Sequence, residues 1–189
     1  MTSTDEPKLA RDCDGCTLCC KLLGIGELQK PAGQWCAHCK IGEGCGIYEA
    51  RPTECRTFNC AWLQDAAMPL EWAPKNSRMV VAMSKRGVVI HVDPSRAGAW
   101  RKPPFNVAVR RWAERVVPRG GQVLVREGRE FFAILPGREK PLGKLGDDWV
   151  AVSMQRMSPL GAEYDVVVMA KDDPRAVAAT QAQEAQDQR

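Results

Sequence analysis

All nine cysteines of this 189-residue chain lie in one segment, residues 13–60, whereas residues 61–189 contain none. Deprotonated cysteines are strong ligands for zinc, iron and iron–sulfur clusters, and oxidised cysteines form disulfides. The chemistry to be tested first is therefore thiolate chemistry. Each of the nine is a candidate metal ligand: Cys13, Cys16, Cys19, Cys20, Cys36, Cys39, Cys45, Cys55 and Cys60.

The spacing of four of these cysteines fits a zinc site. Two residues between cysteines form a tight turn that directs both sulfurs toward one ion, and two such turns complete a tetrahedron. Cys16-x2-Cys19 and Cys36-x2-Cys39 lie within the pattern C-x2-C-x15–20-C-x2-C. Five cysteines would then remain, four for a second site and one spare. His38 could take the place of one ligand.

The same residues also fit an iron–sulfur cluster. The run Cys13-x2-Cys16-x2-Cys19 has the spacing that surrounds a [4Fe-4S] cluster, with the fourth ligand supplied by Cys55 or Cys60. The Cys-Pro pair that usually provides that fourth ligand is absent. Zinc and iron both accept four thiolates in tetrahedral geometry, so spacing alone leaves zinc, iron and a cluster open.

Other features of the chain favour reduced cysteines over disulfides. The sequence has no apolar run of about 18–20 residues that could span a bilayer, and its first residues lack the apolar region of a secretory signal. We therefore expect a cytoplasmic protein without a membrane partner. Thiols stay reduced in that compartment, and an odd number of cysteines also argues against a disulfide framework.

Composition and hydrophobic pattern along the chain indicate the segments that must position the cysteines. Residues 1–12 are polar and are expected to be a disordered leader. Residues 13–60 carry too few large apolar side chains to fold alone, so we expect a small metal-stabilised module. Residues 61–170 form an α+β segment, and residues 171–189 are a polar tail, expected to be disordered or a frayed helix.

Within that α+β segment, hydrophobic periodicity predicts six strands and one main helix. The runs 79–84 and 87–92 are apolar and β-branched and predict a hairpin. A helical stripe follows, formed by Phe105, Val109, Trp112 and Val116. Four more strands begin at Gln122, Phe131, Trp149 and Tyr164. The predicted fold class is α+β, with the Cys-rich module packed on a mostly antiparallel sheet with one main helix.

The two ends of the cysteine segment resemble a known family. Cys13-x2-Cys16-x2-Cys19-Cys20 and the run from Cys45 to Cys60, which contains Ile47-Tyr48-x2-Arg51-Pro52-x2-Cys55-Arg56-x-Phe58, are similar to the bacterial YkgJ-like CxxCxxCC cysteine-cluster family. That family is described as a zinc- or iron-chelating domain. The resemblance covers about a quarter of the chain and implies metal chelation by the matching cysteines. It implies no reaction, and Cys36 and Cys39 lie in the family's variable middle.

Related clusters in flagellin lysine methylases hold an iron–sulfur cluster that serves the chemistry. The resemblance therefore also implies an alternative function, an iron–sulfur redox or enzyme-accessory protein. Two residues of the second motif could support the metal ligands. Arg51 could donate hydrogen bonds to metal-bound sulfurs or to carbonyls, with Tyr48 beside it. The simpler alternative is that Tyr48 packs and Arg51 forms a surface ion pair.

Outside the cysteine segment we find no catalytic motif. No Ser/His/Asp set, phosphate loop or pair of carboxylates stands out, and His91 lies in an alternating strand where a structural role is expected. The net charge of +4 is uneven, because residues 96–144 hold 12 basic and 4 acidic groups. This basic segment could bind nucleic acid or an acidic protein. A solvated face is the simpler explanation.

Overall fold

The computed structural model describes residue 9 and residues 11–146, 148–159 and 161–187, with side chains to residue 182. The chain divides into two compact units, residues 1–81 and residues 82–189. Most of the expected leader, residues 1–12, lies outside the described residues. Of its described members, Arg11 stacks over the Trp62 ring at 3.5 Å and donates hydrogen bonds to the carbonyls of Ala66 and Met68.

The first unit is built from short helices and one small ribbon. Its core contains Leu18 and Leu22, which lie four residues apart on one face of a helix, together with Cys60, Leu63 and Val80. The elements are α1 (Leu18–Leu22), β1 (Cys39–Lys40), β2 (Gly44–Cys45), α2 (Thr53–Thr57), α3 (Ala61–Gln64) and α4 (Pro74–Ser77). Single 3-10 turns connect them. Outside its helices and strands, the backbone hydrogen bonds of this unit lie mostly within turns.

A five-stranded sheet and one helix form the centre of the second unit. The strand order is β3-β4-β5-β6-β7, and the division between the two units falls inside β3. The strands are β3 (Met79–Ser84), β4 (Gly87–Val92), β5 (Gln122–Glu127), β6 (Glu130–Leu135) and β7 (Arg138–Lys144). The helix is α5 (Phe105–Val116). The α+β class and the single main helix are thus as predicted from the sequence.

Helix α5 buries three of the four residues of the predicted stripe, and the fourth, Val116, is half-buried. Phe105, Val109 and Trp112 are all 8% exposed or less. On β4, Val88, Ile90 and Val92 are buried and alternate with half-buried residues. Both observations confirm the periodicity on which the prediction rested.

The main sheet is mixed, with one parallel pair beside the antiparallel pairs that the sequence predicted. Strands β4 and β5 are parallel, with Gly87 opposite Gln122 and His91 opposite Arg126. The connection between them contains α5, and only a long crossover of this kind lets two neighbouring strands run in the same direction. The pairs β5–β6 and β6–β7 are antiparallel.

Strand β7 was not predicted, and two predicted strands lie outside the main sheet. Strand β7 is rich in charge and contains Pro141, which is tolerated because β7 lies at the edge of the sheet. The last two strands, β8 (Trp149–Ser158) and β9 (Gly161–Ala170), do not join the main sheet but form a separate two-stranded one. Residues 174–187 form α6 (Pro174–Asp187), the helical alternative for the polar tail, and Ala176 packs with Val152 and Met169.

Among the described residues, we find no helix that combines the length and the apolar character needed to cross a membrane.

Candidate metal centre

The first CxxC segment is a tight turn closed by the backbone. The N–H of Cys16 donates to the carbonyl of Cys13 over 2.7 Å. Both intervening residues, Asp14 at φ 42° and Gly15 at φ 68°, are left-handed. A turn with two left-handed central residues needs glycine or a small polar residue at these positions, and this sequence supplies them. The Asp14 carboxylate forms an ion pair with Lys75, which holds the exposed side of the turn.

The second CxxC segment is also closed by its backbone. The N–H of Cys39 donates to the carbonyl of Cys36 over 3.0 Å. Cys39 lies directly opposite Cys45 in the antiparallel pair β1–β2. Directly opposed residues place their Cβ atoms about 4.5–5.5 Å apart on one face, so both thiols lie on the same side of the ribbon. The N–H of Cys36 donates to the carbonyl of Cys20 over 3.0 Å, which joins this loop to α1.

Six thiols gather around this junction. The thiol of Cys20 is hydrogen-bonded to those of Cys19 and Cys39. The Cys55 thiol, on α2, interacts electrostatically with the thiols of Cys20, Cys36 and Cys45. We call this set the six-cysteine group: Cys19, Cys20, Cys36, Cys39, Cys45 and Cys55.

Crowding of the thiols changes their acidity. Hydrogen bonding to Cys19, and then burial, raise the pKa of the Cys20 thiol. Burial and the neighbouring Cys20 thiol raise the pKa of Cys39 to about 11. For Cys55, burial raises the pKa first and the nearby thiols add to it. Each negative charge in the group is therefore unfavourable unless a cation compensates for it.

The other three cysteines form a separate set, which we call the three-cysteine group: Cys13, Cys16 and Cys60. Partial burial raises the pKa of Cys13, and the nearby thiols of Cys60 and Cys16 raise it further. Cys60 is 8% exposed and belongs to the core of the first unit, and Cys16 packs against that core. Burial raises the Cys60 pKa, while the backbone N–H groups of Leu63 and Trp62, at the start of α3, lower it.

Lys30 is a cation that interacts with the six-cysteine group. It is 9% exposed, and its Nζ donates to the carbonyls of Lys21, Leu23 and Pro31. Burial lowers the pKa of this ammonium, whereas the thiols of Cys36, Cys20, Cys19 and Cys55 raise it. The arrangement places one buried positive charge where the thiol groups would carry negative charge. Sequence analysis missed Lys30, because a single lysine in a polar loop gives no pattern.

These groups differ from the ligand set that the spacing suggested. That set combined Cys16 and Cys19 with Cys36 and Cys39. In the structure Cys16 interacts with Cys13 and Cys60, whereas Cys19 and Cys39 both bond to Cys20. The adjacent residues Cys19 and Cys20 lie on α1, whereas Cys16 precedes that helix. The helix start thus separates the two halves of the Cys16-x2-Cys19 pair.

The side chains suggested as supports of the ligands interact with each other. Arg51 stacks over the Tyr48 ring at 3.6 Å, and its Nε donates to the Tyr48 carbonyl over 2.9 Å. His38 is exposed, and its carbonyl accepts from the N–H of Gly46. In the second unit, burial and the nearby Arg126 lower the pKa of His91 to about 4, and His91 Nδ1 is buried without a hydrogen-bond partner.

All nine cysteines belong to the described part of the chain, and each is a free thiol. Over the same described residues, no group of three or more His, Cys, Asp or Glu side chains is arranged to hold a metal ion. The donor set itself suits thiophilic metals, because nine sulfur ligands are present. Binding would require the thiols of a group to lose their mutual hydrogen bonds and turn toward a common point.

Comparisons of this chain with protein-family models, with curated proteins and with solved structures find no match.

Proposed function

We propose that this chain is a metal-binding protein that chelates zinc or iron through the cysteines of residues 13–60, and that the metal stabilises this module. The observation that carries the proposal is the backbone bond between Cys36 and Cys20, which brings the second CxxC turn to the helix that bears Cys19 and Cys20. Four of these thiols, those of Cys36, Cys20, Cys19 and Cys55, interact with the buried Lys30. The resemblance to the YkgJ-like family supports the same function.

Electrostatics also supports a bound cation. Thiolates that lie close together repel one another, and a divalent metal ion compensates their charge while it replaces their protons. The free thiols further support a reducing location, and we place the protein in the cytoplasm. The small amount of regular structure in the first unit supports a role for the metal in folding, since structural zinc supplies on the order of 10 kcal/mol in small fingers.

The test is anaerobic purification of untagged protein, followed by elemental analysis and a visible spectrum. We expect at least one equivalent of zinc or iron, and partial unfolding of the first unit when a chelator removes it. Less than about half an equivalent of either metal, with all thiols reduced, would contradict the proposal.

The alternative within the same site is an iron–sulfur cluster in a redox or enzyme-accessory protein. The CxxCxxC spacing from Cys13 to Cys19 favours it. Brown protein with charge-transfer absorption that is lost in Cys16→Ser would support this alternative. Colourless protein that contains zinc would exclude it.

A second candidate function, nucleic-acid binding, depends on the outer face of α5. Arg110, Arg111 and Arg115 are exposed along one side of this helix, opposite the buried Phe105 and Trp112. None of the three arginines has an ion pair within the part of the chain that the structure describes. A row of uncompensated guanidinium groups is suited to phosphates.

The test compares the triple variant Arg110→Gln, Arg111→Gln, Arg115→Gln with a control that neutralises three exposed cations elsewhere, Arg129, Arg156 and Lys171. Binding to DNA or RNA should weaken in the first variant, and the slope of log affinity against log salt should fall by about 2 to 3. Equal loss in both variants, or binding only to an acidic protein, would reject this candidate.

A further inference from the structure

The two cysteine groups differ in how many ligands they can offer. The six-cysteine group can complete a tetrahedral shell of four thiolates from its own members. The three-cysteine group supplies three thiolates at most. Its members come from the turn at Cys13–Cys16 and from Cys60, the residue before α3, so all three are fixed by local backbone structure.

Cys20 could connect the groups, because its thiol also interacts weakly with that of Cys13. Its strongest interactions are the hydrogen bonds to Cys19 and Cys39. Its carbonyl is also held by the N–H of Cys36. These contacts assign Cys20 to the six-cysteine group, so that Cys13, Cys16 and Cys60 are the members of the other group.

We propose that the chain holds zinc in two centres of unequal coordination: a closed centre formed by the six-cysteine group, and an open centre in which Cys13, Cys16 and Cys60 leave one position to a ligand from solution. This inference rests on the proposed function. A zinc ion with three protein ligands takes a water molecule or another small donor as its fourth. The open centre therefore exchanges its metal faster and binds small soft donors such as thiols or imidazole.

The first experiment uses the unmodified chain. Reduced, metal-free protein is titrated anaerobically with zinc alone in a buffer that fixes free zinc, and the free thiols are alkylated and mapped by mass spectrometry at each step. We expect two steps of protection. Four members of the six-cysteine group are protected first. Cys13 and Cys16 follow at free zinc at least about tenfold higher, because even the loss of an outer partner of a ligand costs 10–100-fold in affinity.

Cys13 and Cys16 report on the open centre because they are more exposed than the buried Cys60. The matched variants are Cys13→Ser and Cys45→Ser. The first should remove the high-zinc step and leave the other step unchanged. The second should leave the Cys13–Cys16 step unchanged. With cobalt in place of zinc, imidazole should alter the visible spectrum of the unmodified chain, and this change should be absent in Cys13→Ser.

The outcomes separate this inference from the function on which it rests. If no cysteine is protected at any zinc concentration, zinc binding is wrong and this inference falls with it, and the proposed function is left with iron alone. If all nine are protected in one step, or if Cys16 is protected together with Cys36 and Cys39, metal binding stands and the division into two centres is wrong. An imidazole effect that survives in Cys13→Ser would exclude an open position at the three-cysteine group.

Discussion

The backbone N–H of Cys36 donates a 3.0 Å hydrogen bond to the carbonyl of Cys20. Neither side chain takes part in this bond, so the loop of the second CxxC turn is tied to α1 whatever the thiols do. The two turns at Cys13–Cys16 and Cys36–Cys39 are likewise closed by backbone bonds. Backbone bonds therefore position these cysteines, which are the candidate ligands.

Replacing Lys30 should destabilise the first unit. Its Nζ bonds to three carbonyls, those of Lys21, Leu23 and Pro31, and Lys30→Met removes a charged donor from all of them. We expect a loss of about 2–3 kcal/mol in the free energy of unfolding, measured by urea titration with tryptophan fluorescence. Zinc affinity should fall as well, because a positive charge beside the six-cysteine group is lost.

Lys30→Arg is the matched variant, because it retains the charge. It should bind zinc more tightly than Lys30→Met. If Lys30→Met unfolds at the same urea concentration and binds as much zinc as the unmodified chain, Lys30 has neither role.

Replacing Gly15 should disturb the Cys13–Cys16 turn. Gly15 has φ 68°, and a Cβ on it would lie 2.6 Å from the carbonyl oxygen of Gly42. Gly15→Ala therefore combines left-handed strain, which costs about 1–2 kcal/mol, with a clash against backbone. Gly33→Ala is the control, since Gly33 has φ 84° and no atom within 4 Å of the added Cβ.

We expect Gly15→Ala to lose clearly more stability than Gly33→Ala in urea unfolding. It should also raise the free zinc needed to protect Cys13 and Cys16. Equal losses in the two variants would show that the contact with Gly42 does not constrain the turn.

The stability of the second unit should depend on pH through His91. Burial lowers the pKa of His91 to about 4, below its ordinary value of 6.5. Between these values the unfolded chain binds a proton that the folded chain does not, so the free energy of unfolding falls as pH decreases from 6.5 to 4. The loss attributable to His91 is about 3 kcal/mol at most.

The measurement compares the unfolding free energy at pH 7 and pH 4.5 in the unmodified chain and in His91→Gln. The variant should lose less stability on acidification. His38 is the chain's other histidine and is exposed, so His38→Gln should lose as much stability on acidification as the unmodified chain. Identical pH dependence in all three proteins would contradict the prediction.

Asp165 should anchor β9 to β7. Its carboxylate accepts from Lys140 Nζ at 2.8 and 2.9 Å and from Arg138 at 3.3 Å. The hydrogen bond from Lys140 is the main cause of its lowered pKa. The stabilisation that the Asp165 carboxylate gives is present above the ordinary carboxyl pKa of about 4. It is lost as pH falls through the pKa of Asp165 in the folded chain.

Because the Asp165 side chain is 43% exposed, we expect Asp165→Asn to cost no more than about 1 kcal/mol. Hydrogen exchange of β9 amides should accelerate in the variant, and the difference should shrink at high salt. Unchanged exchange at low salt would exclude an anchoring role.

The sequence allowed prediction of the parts of the fold that follow from periodicity. Helix α5 and the alternation in β4 were predictable because single faces of these elements carry the core residues. Strand β7 was not, because its place depends on pairing with β6 and its own residues are charged or include proline. The parallel pairing of β4 and β5 depends on where α5 lies, which periodicity alone does not give.

Of the candidate site, the sequence allowed prediction of candidate ligands alone. Cysteine type and spacing single out nine candidates, but their grouping depends on backbone bonds between distant residues, such as that of Cys36 with Cys20. Spacing also treats Cys16 and Cys19 as a pair, although α1 begins between them. Lys30 lies near the thiols only because the loop after α1 folds back.

The position of Cys60 has a consequence for any mutational survey of this chain. The same sulfur belongs to the hydrophobic core, with Leu63 and Val80, and to the three-cysteine group. Under the proposed function, metal binding and core packing are then thermodynamically linked, so each changes the other by the same free energy. A screen for weakened zinc retention would return aliphatic residues that touch no metal. In a screen for thermal stability, the measured stability would depend on the zinc concentration of the medium.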